Sequence, residues 1–291
     1  MTPRLTDHSD RPAFRQRPSL RLRAALGLLI PVAAATLSAC GGTAPRLTHE
    51  NLNSVLWMQT TGEHSAACMT VYRDAQALLD KAIADPGWTA ALEQTGDAST
   101  LATAVMLDVD ETALDNMAYQ ARLTKTNHAW SLESWNAWCA EEACTAVPGA
   151  ADFCRAAVEK GATVLFVTNR DAALNEATMR NLSKAGFPND PRRVQVIGKT
   201  DDSDKGPRRA ELAKRYRILF LVGDQLGDFF SVPKGSTPED RKALAERYAD
   251  RWGKTWFALP NPTYGDWERA MVDSKKTDAE NLKSKYARLR P

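Results

Sequence analysis

Val105-Met106-Leu107-Asp108-Val109-Asp110-Glu111-Thr112 is the stretch on which the reading of this chain turns. An apolar run ends in two carboxylates two residues apart, followed by a hydroxyl. Such a run predicts a buried strand of a parallel sheet, whose C-terminal end is where open α/β sheets present functional groups. Residues i and i+2 of a strand share a face, so extended backbone through Asp110 aims the Asp108 and Asp110 carboxylates the same way. Like charges that close repel, and a fold tolerates them only with a cation or a shared proton between them. A bare pair of this kind is more often a strand end running into an acidic turn. Three companions further along the chain reverse that reading.

The first is Val164-Leu165-Phe166-Val167-Thr168-Asn169-Arg170, an apolar strand ending in a hydroxyl, an amide and a guanidinium. The second is Lys205 in Asp204-Lys205-Gly206-Pro207-Arg208-Arg209. The third is Ile218-Leu219-Phe220-Leu221-Val222-Gly223-Asp224, with Asp228 four residues on. Three strands thus end in carboxylate, hydroxyl and carboxylate, with a lysine before the last. This order resembles the haloacid dehalogenase superfamily. The extended forms Asp108-Val109-Asp110-Glu111-Thr112-Ala113-Leu114-Asp115-Asn116 and Phe166-Val167-Thr168-Asn169-Arg170 resemble its class C (lipoprotein) acid phosphatases. Trp57-Met58-Gln59 with Glu63 upstream, and Leu259-Pro260-Asn261-Pro262-Thr263-Tyr264-Gly265-Asp266-Trp267-Glu268 downstream, extend the resemblance from about Leu52 to Trp267. It implies a Rossmann-like parallel sheet flanked by helices, with a small, mostly helical cap insertion.

The chemistry follows from the residues. A phosphate monoester is a dianion, so an attacking carboxylate needs both its own charge and the phosphate's offset. A hard divalent cation on carboxylate oxygens does this, and Mg²⁺ suits a site with few protein ligands. Asp108, last on its strand, is the expected nucleophile, and carboxylates do form aspartyl-phosphate intermediates. Asp110 would protonate the leaving alkoxide and then activate the hydrolytic water. Asp224 supplies the remaining carboxylate for the metal. Thr168 and Lys205 would bind the equatorial oxygens, where positioning and electrostatics do most of the work. The resemblance implies the same roles and adds that Asp110 binds Mg²⁺ through its backbone carbonyl. Thr168 also reads as a helix N-cap. Lys199 competes with Lys205 on the same loop, but a lysine before Gly-Pro and a helix start fits better. Asp228 reads as an orienting residue rather than a ligand. Asn169 and Arg170 either contact substrate or tie down their loop.

The amino terminus sets the expected compartment. Six arginines between Arg4 and Arg23 precede an apolar run from Ala24 to Leu37, which ends in Leu37-Ser38-Ala39-Cys40. Basic, apolar and small-residue regions in that order make a secretory signal, and the run is too short for a resident membrane span. Cys40 after Leu-Ser-Ala resembles a bacterial lipobox, so residues 1–39 are expected to be removed and Cys40 lipidated. Gly41 and Gly42 favour sorting to the outer membrane. Removing residues 1–39 takes six arginines and two aspartates from 38 basic and 36 acidic residues, so the net charge changes from +2 to −2. No polybasic patch remains to hold a nucleic-acid polymer.

Residues 40–50 read as a tether, 51–270 as one phosphatase domain, and 271–291 as a charged tail or exposed helix. Leu52, Val55 and Leu56, then Val71, Ala75, Leu78 and Leu79, predict helices packing on the sheet. Further helices are expected from Pro148 to Gly161, from Arg170 to Gly186 and after Ser236-Thr237-Pro238-Glu239. Val194–Ile197 and Thr255–Leu259 predict two more strands.

The insertion, about 115–146, leaves the sheet where the catalytic strand ends and must pass over the site. Trp135 and Trp138, at helical spacing, read as packing between cap and core. Tyr119 and Tyr264 resemble class positions near the site and are the candidate substrate-stacking rings. Apart from Cys40, the chain has Cys68, Cys139, Cys144 and Cys154. In an oxidising compartment an even count suggests disulfides, with Cys139–Cys144 expected by proximity and Cys68–Cys154 as the second pair. No histidine pairs with them at zinc spacing.

The expectation is a lipid-anchored, Mg²⁺-dependent acid phosphatase acting on phosphate monoesters. The resemblance implies nucleoside monophosphates as substrates and a homodimer. The rivals are a phosphotransferase or another hydrolase of the superfamily, and a non-enzymatic surface lipoprotein on the same scaffold.

Overall fold

The computed structural model describes residues 49–291, so the signal segment, Cys40 and most of the tether lie outside the described residues. Leu47–Pro291 form one compact unit. In chain order its elements begin α1 (Leu52–Thr60), α2 (Gly62–Ala84), β1 (Ala102–Leu107), β2 (Leu114–Asp115), α3 (Met117–Thr126), α4 (Leu132–Glu141), β3 (Thr145–Ala146), α5 (Ala150–Glu159) and β4 (Thr163–Asp171). They continue with α6 (Asn175–Lys184), β5 (Val194–Lys199), α7 (Gly206–Ala213), β6 (Tyr216–Gly223), α8 (Pro238–Arg247), β7 (Trp256–Ala258), α9 (Asp266–Arg269) and α10 (Asp278–Ala287).

Alternating burial builds the sheet. Val105 and Leu107 of β1 enter one hydrophobic core, while Ala104 and Met106 enter the other, the period of two that a strand imposes. The five strands run in the order β5-β4-β1-β6-β7, all parallel. β1 sits at the centre between β4 and β6, and both of its faces are covered. Such burial explains the near-continuous apolar runs that mark the motif strands. The expected Rossmann-like α/β architecture is therefore the observed one.

One face carries α2 and α5. α2 starts at Thr61, whose hydroxyl accepts from the His64 amide, and buries His64, Cys68, Tyr72, Ala75, Leu79 and Ala82 at helical spacing. The other face carries Leu212 and Ala213 of α7 beside Phe229, Phe230 and Trp256. α5 and α6 are followed by Gly161 and Gly186 at φ +85° and +88°, the left-handed conformation glycine adopts without a steric penalty.

Two local expectations are corrected. α1 packs on α3 and α2 rather than on the sheet; Val55 and Met58 are buried, whereas Leu52 and Leu56 remain exposed. β4 continues through Asp171, so Thr168 lies within a strand and caps no helix. Both errors come from reading local pattern without tertiary context.

The insertion leaves the sheet through β2 and returns through β3, which pair antiparallel as Leu114↔Ala146 and Asp115↔Thr145. α3 and α4 lie between them. Their interface is aromatic: Tyr119 stacks near Trp138 and meets Trp135 edge-on.

Candidate active site

β1 stops at Leu107, one residue before Asp108, whose amide still donates to the Val222 carbonyl at 2.9 Å. The chain then turns sharply. Glu111 sits at φ +56°, a strained backbone for a residue with a side chain, and Asp110 bridges to Leu114. Asp108 and Asp110 therefore do not lie on one continuous strand face, and each carboxylate has its own cation.

Asp108 has Lys205. The Lys205 Nζ lies 2.6 Å from Asp108 Oδ1 and 2.6 Å from Asp228 Oδ1. The ammonium thus bridges the two carboxylates. Lys205 is placed at the entry to α7, where Pro207 starts the helix with no donor lost. Burial pulls its pKa down, but Asp108 and Asp228 together hold it above the ordinary value. Burial pushes Asp108 well up, and Lys205 is the main group opposing that shift. Lys199 pairs instead with Asp171 at 3.3 Å.

Asp110 has Arg170. The buried guanidinium donates to Asp110 Oδ1 from Nε at 2.9 Å and Nη2 at 2.7 Å. Asn116 Nδ2 donates to the same oxygen at 3.0 Å, while Thr168 Oγ1 lies 3.5 Å from Oδ2. Asn116 was not read from the sequence as functional, yet it ties the cap to Asp110. Its Oδ1 accepts from Trp138 Nε1 at 2.8 Å and from Arg170 Nη2 at 3.2 Å. Arg170 thus positions Asp110. Asn169 is exposed and accepts from Arg208 Nη2 at 2.6 Å.

Asp224 follows β6. Its Oδ2 accepts from Gln225 Nε2 and Asn261 Nδ2, both at 2.8 Å, and its Oδ1 from Thr112 Oγ1 at 3.3 Å. Burial, reinforced by Asp228, raises its pKa to about 6. Asp228 folds back on the strand end, its Oδ2 accepting from the amides of Asp224 (3.1 Å) and Gln225 (2.9 Å). That contact explains Gly223, where a Cβ would come within 2.3 Å of Asp228. Arg209 secures the turn from behind, bonding Glu93 Oε1 and the Gly227 carbonyl.

Asp108, Asp224 and Asp228 each bring a carboxylate oxygen within 4.8 Å of the others. Among the described residues, these three with Asp110 and Glu111 make five acidic side chains that form ion pairs with two cations, Lys205 and Arg170. That excess and an all-oxygen set suit a hard divalent cation. Asp228 holds the Lys205 ammonium on Oδ1 and two backbone amides on Oδ2. Asp224 Oδ1 has one long contact at 3.3 Å and Asp108 its ion pair alone, so Asp108 and Asp224 are the side chains with capacity to hold it.

Two expectations fail here. Cys68, Cys139, Cys144 and Cys154 are all free and buried, so neither Cys139–Cys144 nor Cys68–Cys154 forms a disulfide. Two of the sulfurs have local polar partners: Cys144 Sγ donates to Asn116 Oδ1, and Cys68 Sγ lies 3.4 Å from His64 Nε2. Tyr119 is buried inside the cap with its hydroxyl 2.9 Å from Ser134 Oγ, so it presents no face to a substrate. Tyr264 is half-buried and donates to Glu111, a buried acid in the turn after Asp108.

A family model for HAD superfamily, subfamily IIIB (acid phosphatase) matches residues 33–267. The class C acid phosphatase from Bacillus anthracis is similar at 30% identity and a TM-score of 0.71, over 83% of this chain and 97% of that one. The same enzyme with tungstate bound gives a TM-score of 0.72 at 30% identity, over 84% and 98%. With Asp108 and Asp224 placed just beyond the ends of the adjacent strands β1 and β6, this chain belongs to the subfamily IIIB acid phosphatases of the haloacid dehalogenase superfamily and is a phosphomonoester hydrolase.

Proposed function

We propose that the protein is an Mg²⁺-dependent acid phosphatase that works through an aspartyl-phosphate on Asp108 and is held to the bacterial outer membrane by lipid on Cys40. The observation that carries the mechanism is the division of cations: Lys205 beside Asp108, Arg170 beside Asp110. Lys205 favours the anionic, attacking form of Asp108. The arginine fork orients Asp110 beside Thr168, where an ester oxygen would leave.

Mg²⁺, held by Asp108 and Asp224 with the carbonyl of Asp110, would supply the charge neutralisation that lets two anions approach. In the first step an Asp108 oxygen bonds to phosphorus, the P–O ester bond breaks, and Asp110 gives its proton to the departing alkoxide. In the second, Asp110 takes a proton from water as that water attacks phosphorus, which releases phosphate and restores Asp108. Thr168 and Lys205 hold the equatorial oxygens throughout. The tungstate bound to the Bacillus anthracis relative is a tetrahedral oxyanion and supports a phosphate-sized subsite. Nucleoside monophosphates are the proposed substrates, with the half-buried Tyr264 ring as the candidate stacking surface, and the working form is proposed to be a homodimer.

The test is rapid acid quench with labelled substrate, then location of the label. Asp108→Asn removes the attacking oxyanion and should abolish turnover, while Asp110→Asn should let the phosphoenzyme build up. Label on any residue other than Asp108 sinks the mechanism.

A further inference from the structure

α10 docks with its polar side down. Asn281 exchanges bonds with Asp273 (Nδ2 to the carbonyl, 3.1 Å; the Asp273 amide to Oδ1, 2.9 Å). Lys285 Nζ lies 2.6 Å from Glu50 Oε2 and 2.7 Å from Glu268 Oε1. Leu282, Tyr286 and Leu289, spaced along one helical face and the turn beyond it, are 37%, 67% and 71% exposed. An amphipathic helix of a globular protein normally docks the other way round, and clustered exposed apolar groups mark an interaction surface.

Charge identifies what this face meets. Residues 271–291 hold six basic side chains against three acidic ones, whereas the chain from Cys40 onward carries −2. Lys275, Lys276 and Lys283 have no ion pair among the described residues, and Arg288 and Arg290 reach Glu239 only at 4.0 Å. A second copy docked across a two-fold axis would set this basic surface against itself. An anionic surface would not.

Position points the same way. Glu50, just before α1, is clamped to α10 by Lys285. The ten residues from Cys40 to Glu50 extend at most about 36 Å, so lipid on Cys40 would keep α10 within that reach of the headgroups. We propose that α10 is a membrane-contact helix: Leu282, Tyr286 and Leu289 enter the interfacial region while Lys283, Arg288 and Arg290 meet anionic phospholipid headgroups. This extends the lipid-anchored reading, and fixes which face of the enzyme looks toward the bilayer.

The test uses Leu47–Pro291, the compact unit that holds the whole sheet and both cores, so that no lipid can carry the binding. Phosphate release reports that this unit is folded. It should sediment with vesicles of phosphatidylglycerol and phosphatidylethanolamine at low salt, and at least about tenfold less with phosphatidylcholine alone. Leu282→Glu/Tyr286→Glu should remove binding and leave phosphate release unchanged. Lys283→Gln and Arg290→Gln should each weaken it by about fivefold, the equivalent of roughly 1 kcal/mol per basic residue at an anionic surface. Equal binding to both vesicle types, no binding to either, or no effect of these substitutions would overturn the proposal. So would a dimer, seen by light scattering, that dissociates with Leu282→Glu/Tyr286→Glu. Intact mass at Cys40 tests the lipid anchor separately.

Discussion

Arg170 spends two donors on a single oxygen of Asp110, Oδ1, and leaves Oδ2 beside Thr168. The arginine side chain has no exposed surface and that of Asp110 has 15%. A fixed fork in a desolvated position sets the orientation of the carboxylate.

Arg170→Ala would strand a buried carboxylate, at about 3–5 kcal/mol, and confuse loss of fold with loss of function. Arg170→Lys keeps the charge and loses the fork. Turnover of alkyl phosphates, which need a proton at the leaving oxygen, should fall by at least about tenfold, part of the ~10²–10⁴ that acid–base assistance supplies. Turnover of p-nitrophenyl phosphate, whose leaving group needs little help, should fall less. Equal losses for both would remove Arg170 from the control of Asp110.

The cysteines give a second expected outcome. Burial pushes the Cys68 and Cys139 thiols up to about 12 and Cys144 to about 11, and raises Cys154 as well. Thiolate is the reactive species, so these four should resist a disulfide reagent at neutral pH and all react once the chain is unfolded. Fewer than four thiols in the denatured, unreduced protein, with Cys40 counted apart, would contradict the free cysteines.

Much of this site was legible because its residues follow directly on the apolar runs of the central strands. An apolar run closing in Asp108, Thr168 or Asp224 announces both the strand and the side chain it delivers. Asn116, Glu111 and Arg209 carried no such signal. Asn116 acts by joining Trp138, Arg170 and Asp110 across more than fifty residues of sequence, which periodicity does not encode. The disulfide expectation rested on an even count and short spacing. The structure spends Cys139 and Cys144 on the packed base of the cap, where burial rather than pairing decides their state. Leu52 and Leu56 misled for the opposite reason, since they were apolar but faced outward.

Metal and protons should compete at Asp224. In the metal-free chain burial holds its carboxyl at about 6, against an ordinary value of 3.8. Between those values the folded protein keeps a proton that the unfolded chain has released, so this group's contribution to stability falls as pH rises through the window. Chelated wild type, compared with Asp224→Asn, should therefore show a Tm difference that turns against wild type on raising the pH through about 6. Mg²⁺ is expected to reverse it, as a ligand of the folded state alone would. A difference independent of pH would show that Asp224 is ionised throughout.

Cys40 lies outside the described residues, and its lipid is tested by mass. Membrane-extracted protein should begin at Cys40 and carry a diacyl or triacyl addition. Cys40→Ser should stay unacylated. An unmodified Cys40 in the membrane fraction would leave the anchor without support.

Tyr264 and Glu111 join the loop before α9 to the turn after Asp108. The Glu111 backbone is left-handed at φ +56°, and its carboxylate accepts from the Asn116 amide and the Tyr264 hydroxyl. Tyr264→Phe removes one donor from a buried acid, a loss of about 1–3 kcal/mol, while keeping the ring. Its Tm should fall and its KM for nucleoside monophosphates should stay near wild type if stacking is the ring's task. Tyr264→Ala removes the ring as well and should raise KM on top of the same loss of stability. Pairing each change with Glu111→Gln in a double-mutant cycle separates the two contributions, since only the hydroxyl's part should couple to Glu111. Equal KM values for Tyr264→Ala and wild type would make Tyr264 a structural tie alone, and leave the substrate's ring without a partner on this loop.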